Sequence, residues 1–163
     1  MKINHTFPIF INKKSKILIL GSFPSVKSRE FNFYYMHKQN RFYKVLSEIF
    51  NQDFYNVDID IKKDLLNKYN IALYDVIEEC EIENSNDETI KNVVPSNIKE
   101  LIKDSSIKHI FINGSKAKEL FIKYNQDLLN ITTFLPSTSA RNAKMNLNDL
   151  VDKYKIIKEY LIL

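Results

Sequence analysis

The sequence predicts an α/β fold, a three-layer α/β/α arrangement around a four-stranded, mostly parallel sheet. Two observations carry this expectation. Four short apolar runs at 17–20, 71–74, 107–112 and 131–135 read as strands buried on both faces of a sheet. Between them lie segments with apolar residues at three- and four-residue spacing, the period of helices that pack on such a sheet.

In chain order, Phe7-Pro8-Ile9-Phe10-Ile11 is a short apolar piece suited to the sheet edge. The first strand, Ile17-Leu18-Ile19-Leu20, runs into Gly21-Ser22-Phe23-Pro24-Ser25 and a polar, aromatic loop that reaches Asn40. A helix starts at about Arg41, with Phe42, Val45, Leu46, Ile49 and Phe50 on one face. A second helical pattern spans 58–69, with Ile61, Leu65, Leu66 and Tyr69 on one face and Asn70 as its cap. The second strand, Ile71 to Tyr74, ends at Asp75. The acidic, polar segment 78–92 predicts an irregular surface loop.

Pro95, and Asn97 followed by Glu100, signal a third helix through a capping-box variant. The third strand, 107–112, turns at Asn113-Gly114-Ser115 into a fourth helix, 116–124. The fourth strand is followed by a loop over 136–143. A last helix from about Leu147 carries Leu150, Val151, Tyr154, Ile157 and Leu161 on its apolar face. With no repeat or linker, the 163 residues are expected to form one domain.

Composition narrows the function classes. The single cysteine, Cys80, has no internal disulfide partner, and neither a charged-then-apolar leader nor a run of eighteen apolar residues occurs. A reduced, cytoplasmic location without a membrane partner is expected. The histidines at 5, 37 and 109 and the one cysteine show no metal-ligand spacing, so no metal site is expected. The formal charge of +4 is compatible with nucleic acid, although the Lys/Asn/Ile-rich bias extends over the whole chain. The polar motifs share one address: 21–25, Asp75, 113–115 and 136–142 each follow a strand, so right-handed crossovers place them on one sheet edge around one cleft.

GSFPSVKS, FYYMHKQNRFYKVL, IALYDVIEEC, FINGSKA and LPSTSARNA, in that order over about positions 16–160, resemble the uracil-DNA glycosylase superfamily, most of all its hypoxanthine-DNA (deoxyinosine) glycosylase branch. The resemblance implies a monofunctional enzyme, a monomer without a cofactor, that flips a deaminated base from double-stranded DNA and hydrolyses its N-glycosidic bond. Alternatives are a uracil or thymine mismatch glycosylase, or a DNA-binding relative without the chemistry. Many members place asparagine or aspartate where this chain has Phe23, and histidine where it has Leu135. Phenylalanine cannot orient water, and the missing histidine at Leu135 weighs against efficient uracil excision.

A base inside a duplex cannot be reached by the enzyme's groups, so a flipped base needs an aromatic-walled pocket. Gly21, Ser22, Phe23, Pro24, Ser25, Tyr34, Tyr35 and Phe42 are the candidates for binding it, although Phe42 and one tyrosine would serve equally well as core. The branch resemblance points to Asn40 as the catalytic group, an amide able to hold and polarise water, with a helix cap as the alternative. His37 can donate to a leaving-group oxygen or a phosphate, or be a surface histidine. Asp75 can accept from the N1–H of hypoxanthine, or be a charge at a helix N-terminus near Val76; Asn113 is a further substrate contact. Lys27, Gly114, Ser115, Ser137, Thr138, Ser139, Arg141 and Asn142 are the expected DNA contacts, Arg141 or a neighbour filling the gap left by the flipped base. Arg29, Lys38 and Arg41 are further candidates for phosphate contacts.

Overall fold

The computed structural model describes residues 2–162. The main sheet contains β2 (Ile17–Gly21), β3 (Ile71–Asp75), β6 (His109–Asn113) and β7 (Thr132–Leu135), in the order β3-β2-β6-β7 and parallel throughout. Every residue of β2 and β3 is buried, which is why neither strand alternates in sequence. The outer edge of β3 is covered where Phe10 and Leu73 exchange backbone hydrogen bonds of 3.0 and 2.9 Å, so the apolar piece at 7–11 does close a sheet edge.

Helices α2 (Phe42–Phe50), α3 (Ile59–Lys68), α5 (Ser115–Tyr124) and α6 (Leu147–Tyr154) form the outer layers, α3 against β3, α5 against β6 and α2 against α6. Their limits have local causes. The Asp58 side chain caps α3 through the Ile61 amide, and Asn70 takes the left-handed conformation just beyond its end. Asn146 and Asp149 make a reciprocal capping box at α6. The short α4 (Ile98–Ile102) is capped by Asn97 through the Glu100 amide, without the reciprocal bond that a capping box needs.

Two segments depart from the sequence expectation. Residues 78–92 are not an irregular loop: β4 (Ile77–Glu83) and β5 (Asn86–Pro95) form a hairpin, and β1 (Lys2–Asn4) joins it in a second sheet of order β1-β4-β5, antiparallel throughout. No helix follows Asp75, because the chain passes directly from β3 into β4. A short helix, α1 (Val26–Phe31), interrupts the long loop after β2; the Ser25 hydroxyl caps it by accepting from the Ser28 amide.

Candidate active site

The carboxyl ends of β2, β3 and β6, the loop after β7 and the tip of the β4–β5 hairpin enclose a cavity of about 360 Å³. Gly21 to Ser25, Tyr34, Tyr35, His37, Asn40, Asp75, Asn113, Ser137, Ser139 and Arg141 line it, as their places in the sequence predict. Other expected residues do not reach it. Phe42 is completely buried and stacks behind Tyr35, ring centroids 4.1 Å apart, so it supports the wall rather than forming it. Lys27 is exposed and pairs with Glu30 at 3.2 Å, while Gly114, Ser115, Thr138 and Asn142 lie outside the lining.

Asn40 is held from two loops. Its Oδ1 accepts from the Phe42 amide at 2.9 Å and from the Thr138 hydroxyl at 2.8 Å. Thr138 in turn accepts from Asn113 Nδ2 at 3.0 Å and donates its amide to Asn113 Oδ1 at 3.1 Å. One chain of bonds thus joins the start of α2, the end of β6 and the loop after β7, and Thr138 is fully buried within it. Asn40, one residue before the cap position Arg41, therefore holds the first amide of α2, with both lone pairs of Oδ1 occupied. Its Nδ2 makes no hydrogen bond to the described residues, so the donor face is what the side chain can offer the cavity.

Gly114 opens α5 at φ 102°, a conformation suited to glycine, and a Cβ there would approach the Ser137 side chain to 3.3 Å. The adjacent loop is fixed by Arg41. Its guanidinium donates to the carbonyl oxygens of Ser139 at 2.8 Å, Asn142 at 3.0 Å and Met145, and its backbone amide donates to Thr138 O at 2.9 Å. Arg41 is consequently a staple for the last loop and not a phosphate contact. Arg29 is also engaged, donating to Asn84 O at 2.7 Å beside the Phe23 ring. The Ser137 and Ser139 oxygens accept from the amides of Ser139 and Arg141 within local turns, which leaves their hydroxyl protons available.

Tyr34 is nearly buried and donates to Pro8 O at 3.0 Å, so it belongs to the core as much as to the wall. Tyr35 differs. Its backbone is left-handed, φ 59°, an uncommon state for a bulky residue. Its buried hydroxyl makes no hydrogen bond of normal geometry, although Asp75 and Asn113 flank it. Burial, and then the Asp75 carboxylate, holds this hydroxyl far above the ordinary tyrosine pKa, so it stays a donor. His37 is exposed at the rim, where its Nδ1 accepts from the Gln39 amide at 3.2 Å.

Sequence reasoning missed two groups. His5, outside every motif, inserts a fully buried side chain and places Nε2 2.9 Å from Asp75 Oδ2. His37 is thus not the sole histidine beside the cleft. Asp87, from the hairpin, accepts from the Ser22 hydroxyl at 3.0 Å inside the cavity, and burial raises its pKa. Neither has a local signature; only pairing of β1 and β5 with β4 brings them to the site. Cys80, buried with its thiol pushed up to about 11, is not poised as a nucleophile. Among the described residues, no group of three or more His, Cys, Asp and Glu could hold a metal ion, and no helix is long and apolar enough to cross a membrane.

The polar, aromatic cavity of this α/β/α layered protein lies at the carboxyl ends of its parallel strands, where open α/β sheets place their ligand sites. The family profile described as Uracil DNA glycosylase superfamily matches residues 8–159, and the chain belongs to that family. A protein of Methanosarcina barkeri (strain Fusaro / DSM 804) named hypoxanthine DNA glycosylase is 31% identical over 115 residues, 69% of this chain and 72% of the relative. Its namesake in Methanosarcina acetivorans is 29% identical over 152 residues, 90% of this chain and 92% of the relative. The solution NMR structure of a "putative Uracil DNA glycosylase" from Methanosarcina acetivorans superposes with a TM-score of 0.84 at 25% identity, covering 100% of both chains. Family and relatives together support a DNA glycosylase role.

Proposed function

We propose that this protein is a monofunctional DNA glycosylase that takes a deaminated base, hypoxanthine before others, out of duplex DNA and hydrolyses its N-glycosidic bond. The observation that carries the proposal is the doubly braced Asn40 at the wall of an aromatic cavity, in a family member whose relatives are named for hypoxanthine. Phe23, Tyr34 and Tyr35 receive the extruded ring and offset part of the unstacking cost. The glycosidic bond breaks through an oxocarbenium-like state, so fixed polar groups that stabilise the departing base, together with one placed water, supply the catalysis. Asn40, whose oxygen is committed to Phe42 and Thr138, acts through its Nδ2 protons, either on the water's oxygen or on the base. Lys38, exposed next to His37, and Arg141, which lines the cavity, contact phosphates, and Arg141 fills the gap left by the extruded base.

Hypoxanthine is favoured over uracil because Phe23 and Leu135 stand at two positions where uracil-acting members carry polar groups; Leu135 is buried outside the lining. The test is a panel of duplexes, each carrying one deoxyinosine, deoxyuridine or mismatched thymine, incubated with the protein and then with alkali. Strand breaks only after alkali, and fastest at deoxyinosine, are expected. No base release from any duplex overturns the enzyme assignment, and a borohydride-trapped protein–DNA adduct overturns its monofunctional character.

A further inference from the structure

We propose that Asp87, carried into the cavity by the β4–β5 hairpin, is the carboxylate that takes the proton of the attacking water, with the Ser22 hydroxyl as the group that positions it. The inference rests on the glycosylase assignment above and adds the proton acceptor that this assignment leaves unnamed.

Hydrolysis of an N-glycosidic bond frees a proton that some group has to receive. The water's oxygen bonds to C1′ while the bond from C1′ to the base nitrogen breaks. The bonding electron pair leaves with the base, and one proton of the water moves to the acceptor, which passes it to the departing base. The polar lining of the cavity narrows the acceptor to one group. Asn40 offers only its Nδ2 protons, because both lone pairs of Oδ1 are occupied. Tyr34 and Tyr35 keep their protons, since burial above all holds both hydroxyls far above the ordinary tyrosine pKa. Neutral His37 uses Nδ1 to accept from the Gln39 amide, so its proton sits on Nε2 and no basic nitrogen is left free. Arg141 is a permanent cation. Asp75 is wedged: Oδ2 meets His5 Nε2 at 2.9 Å, and Oδ1 fills the space beside Gly21, 2.7 Å from where a Cβ would stand. Asp87 is the ionisable group of the lining that remains.

The hairpin holds this carboxylate in place. Asp87 Oδ1 accepts from the Ser22 hydroxyl at 3.0 Å, while Oδ2 makes no hydrogen bond to the described residues and is the oxygen available to a water. Among the hairpin's carboxylates, Asp87 is the one that lines the cavity. The three residues before it are each anchored to another element. Asn84 O accepts from Arg29 at 2.7 Å, Ser85 Oγ from the Val26 amide at 2.9 Å, and Asn86 Oδ1 from Arg141 at 3.0 Å. The tip is thereby tied to α1 and to the loop after β7, so the carboxylate is preorganised and needs no rearrangement when a base enters. Burial raises the Asp87 pKa; the Ser22 hydrogen bond, Arg141 and Lys116 oppose the rise and Asp75 adds to it. The balance leaves a stronger base than an exposed aspartate.

The experiment measures single-turnover release of hypoxanthine from a deoxyinosine duplex, from acid to neutral pH, with melting temperature and duplex affinity, for the wild type, Asp87→Asn and Ser22→Ala. Asp87→Asn keeps the shape of the side chain and can still accept from Ser22, so the hairpin tip stays in place. Its release at neutral pH is expected to fall about tenfold or more with duplex affinity held. It is also expected to lose the decline toward acid pH that the wild type shows as Asp87 takes up a proton. Ser22→Ala removes a hydrogen bond that favours the charged carboxylate, so the acid-side decline of its profile is expected to move to higher pH. Wild-type release by Asp87→Asn overturns the inference, as does a loss that only follows the folded fraction or the duplex affinity. A wild-type profile flat toward acid pH, or an acid-side decline that persists unchanged in Asp87→Asn, overturns it as well. An unshifted profile in Ser22→Ala overturns the role of Ser22 alone. If the wild type itself releases no hypoxanthine, the glycosylase assignment fails before any variant is compared, and the inference fails with it.

Discussion

The two sheets make different contributions to one cavity. The parallel sheet is a rigid base whose strand ends bring Gly21, Asp75 and Asn113 into register, Gly21 directly opposite Asp75. The antiparallel sheet has three strands, is more exposed and is irregular, with register shifts along the β4–β5 pairing. Yet its edge leads into His5, and its hairpin tip supplies Asp87 and Asn86, the latter accepting from Arg141 at 3.0 Å across the cavity mouth. The parallel sheet therefore supplies the floor of the cavity, and the antiparallel sheet supplies part of its mouth and the His5 partner of Asp75.

Substitutions on each side sharpen this division. The largest effect is expected on the parallel-sheet side. Asn40→Ala should lower single-turnover release by about one hundredfold or more, roughly 3 kcal/mol of barrier, with DNA affinity little changed. Arg41→Ala, which frees the loop after β7 without touching the cavity, should cost about 3 kcal/mol of stability and leave the salt dependence of DNA binding unaltered. Chemical denaturation and salt titration of binding separate those two readouts. At the cavity mouth, Arg141→Ala should reduce the slope of log affinity against log salt by about one, since it removes one phosphate contact.

The smallest effect on stability belongs to the hairpin. Burial raises the Asp87 pKa, so its protonated form suits the folded state better than its charged form. Stability from this group is fully present below the ordinary carboxylate pKa of about 3.9 and is lost as pH rises through the raised folded value. Asp87→Asn should therefore flatten the stability profile just above pH 4 and stabilise the protein mildly at neutral pH. An unfolding series across pH 3 to 7 checks both points.

The same division decided what the sequence could reveal. Buried parallel strands are continuous apolar runs, so Ile17–Leu20 and Ile71–Tyr74 identify themselves, and strand order then gathers the polar loops. The hairpin hides because shifts in its register break the period-two pattern: Cys80, Ile82 and Ile90 turn inward among Glu, Asn and Asp, and the composition resembles a loop. Its turn at Asn84 and Ser85, with Asn84 left-handed, was the available clue. α1 was legible in principle from Pro24-Ser25 as an N-cap, but six residues give little periodicity. His5 had no local signal at all, because its partner lies seventy positions along the chain. Arg41 looked like a phosphate ligand because charge is visible in sequence, whereas the carbonyl oxygens that occupy it are created by the fold.

The central claim is that Asn40 does more than brace α2 and the last loop. Asn40→Asp tests it most directly, because a carboxylate can still accept from the Phe42 amide and the Thr138 hydroxyl while lacking the two Nδ2 protons. Melting temperature and single-turnover release of hypoxanthine, measured together at fixed salt, are expected to show unchanged stability with release lowered about tenfold or more. Wild-type release from an equally stable Asn40→Asp protein would contradict the claim and reduce Asn40 to a structural brace.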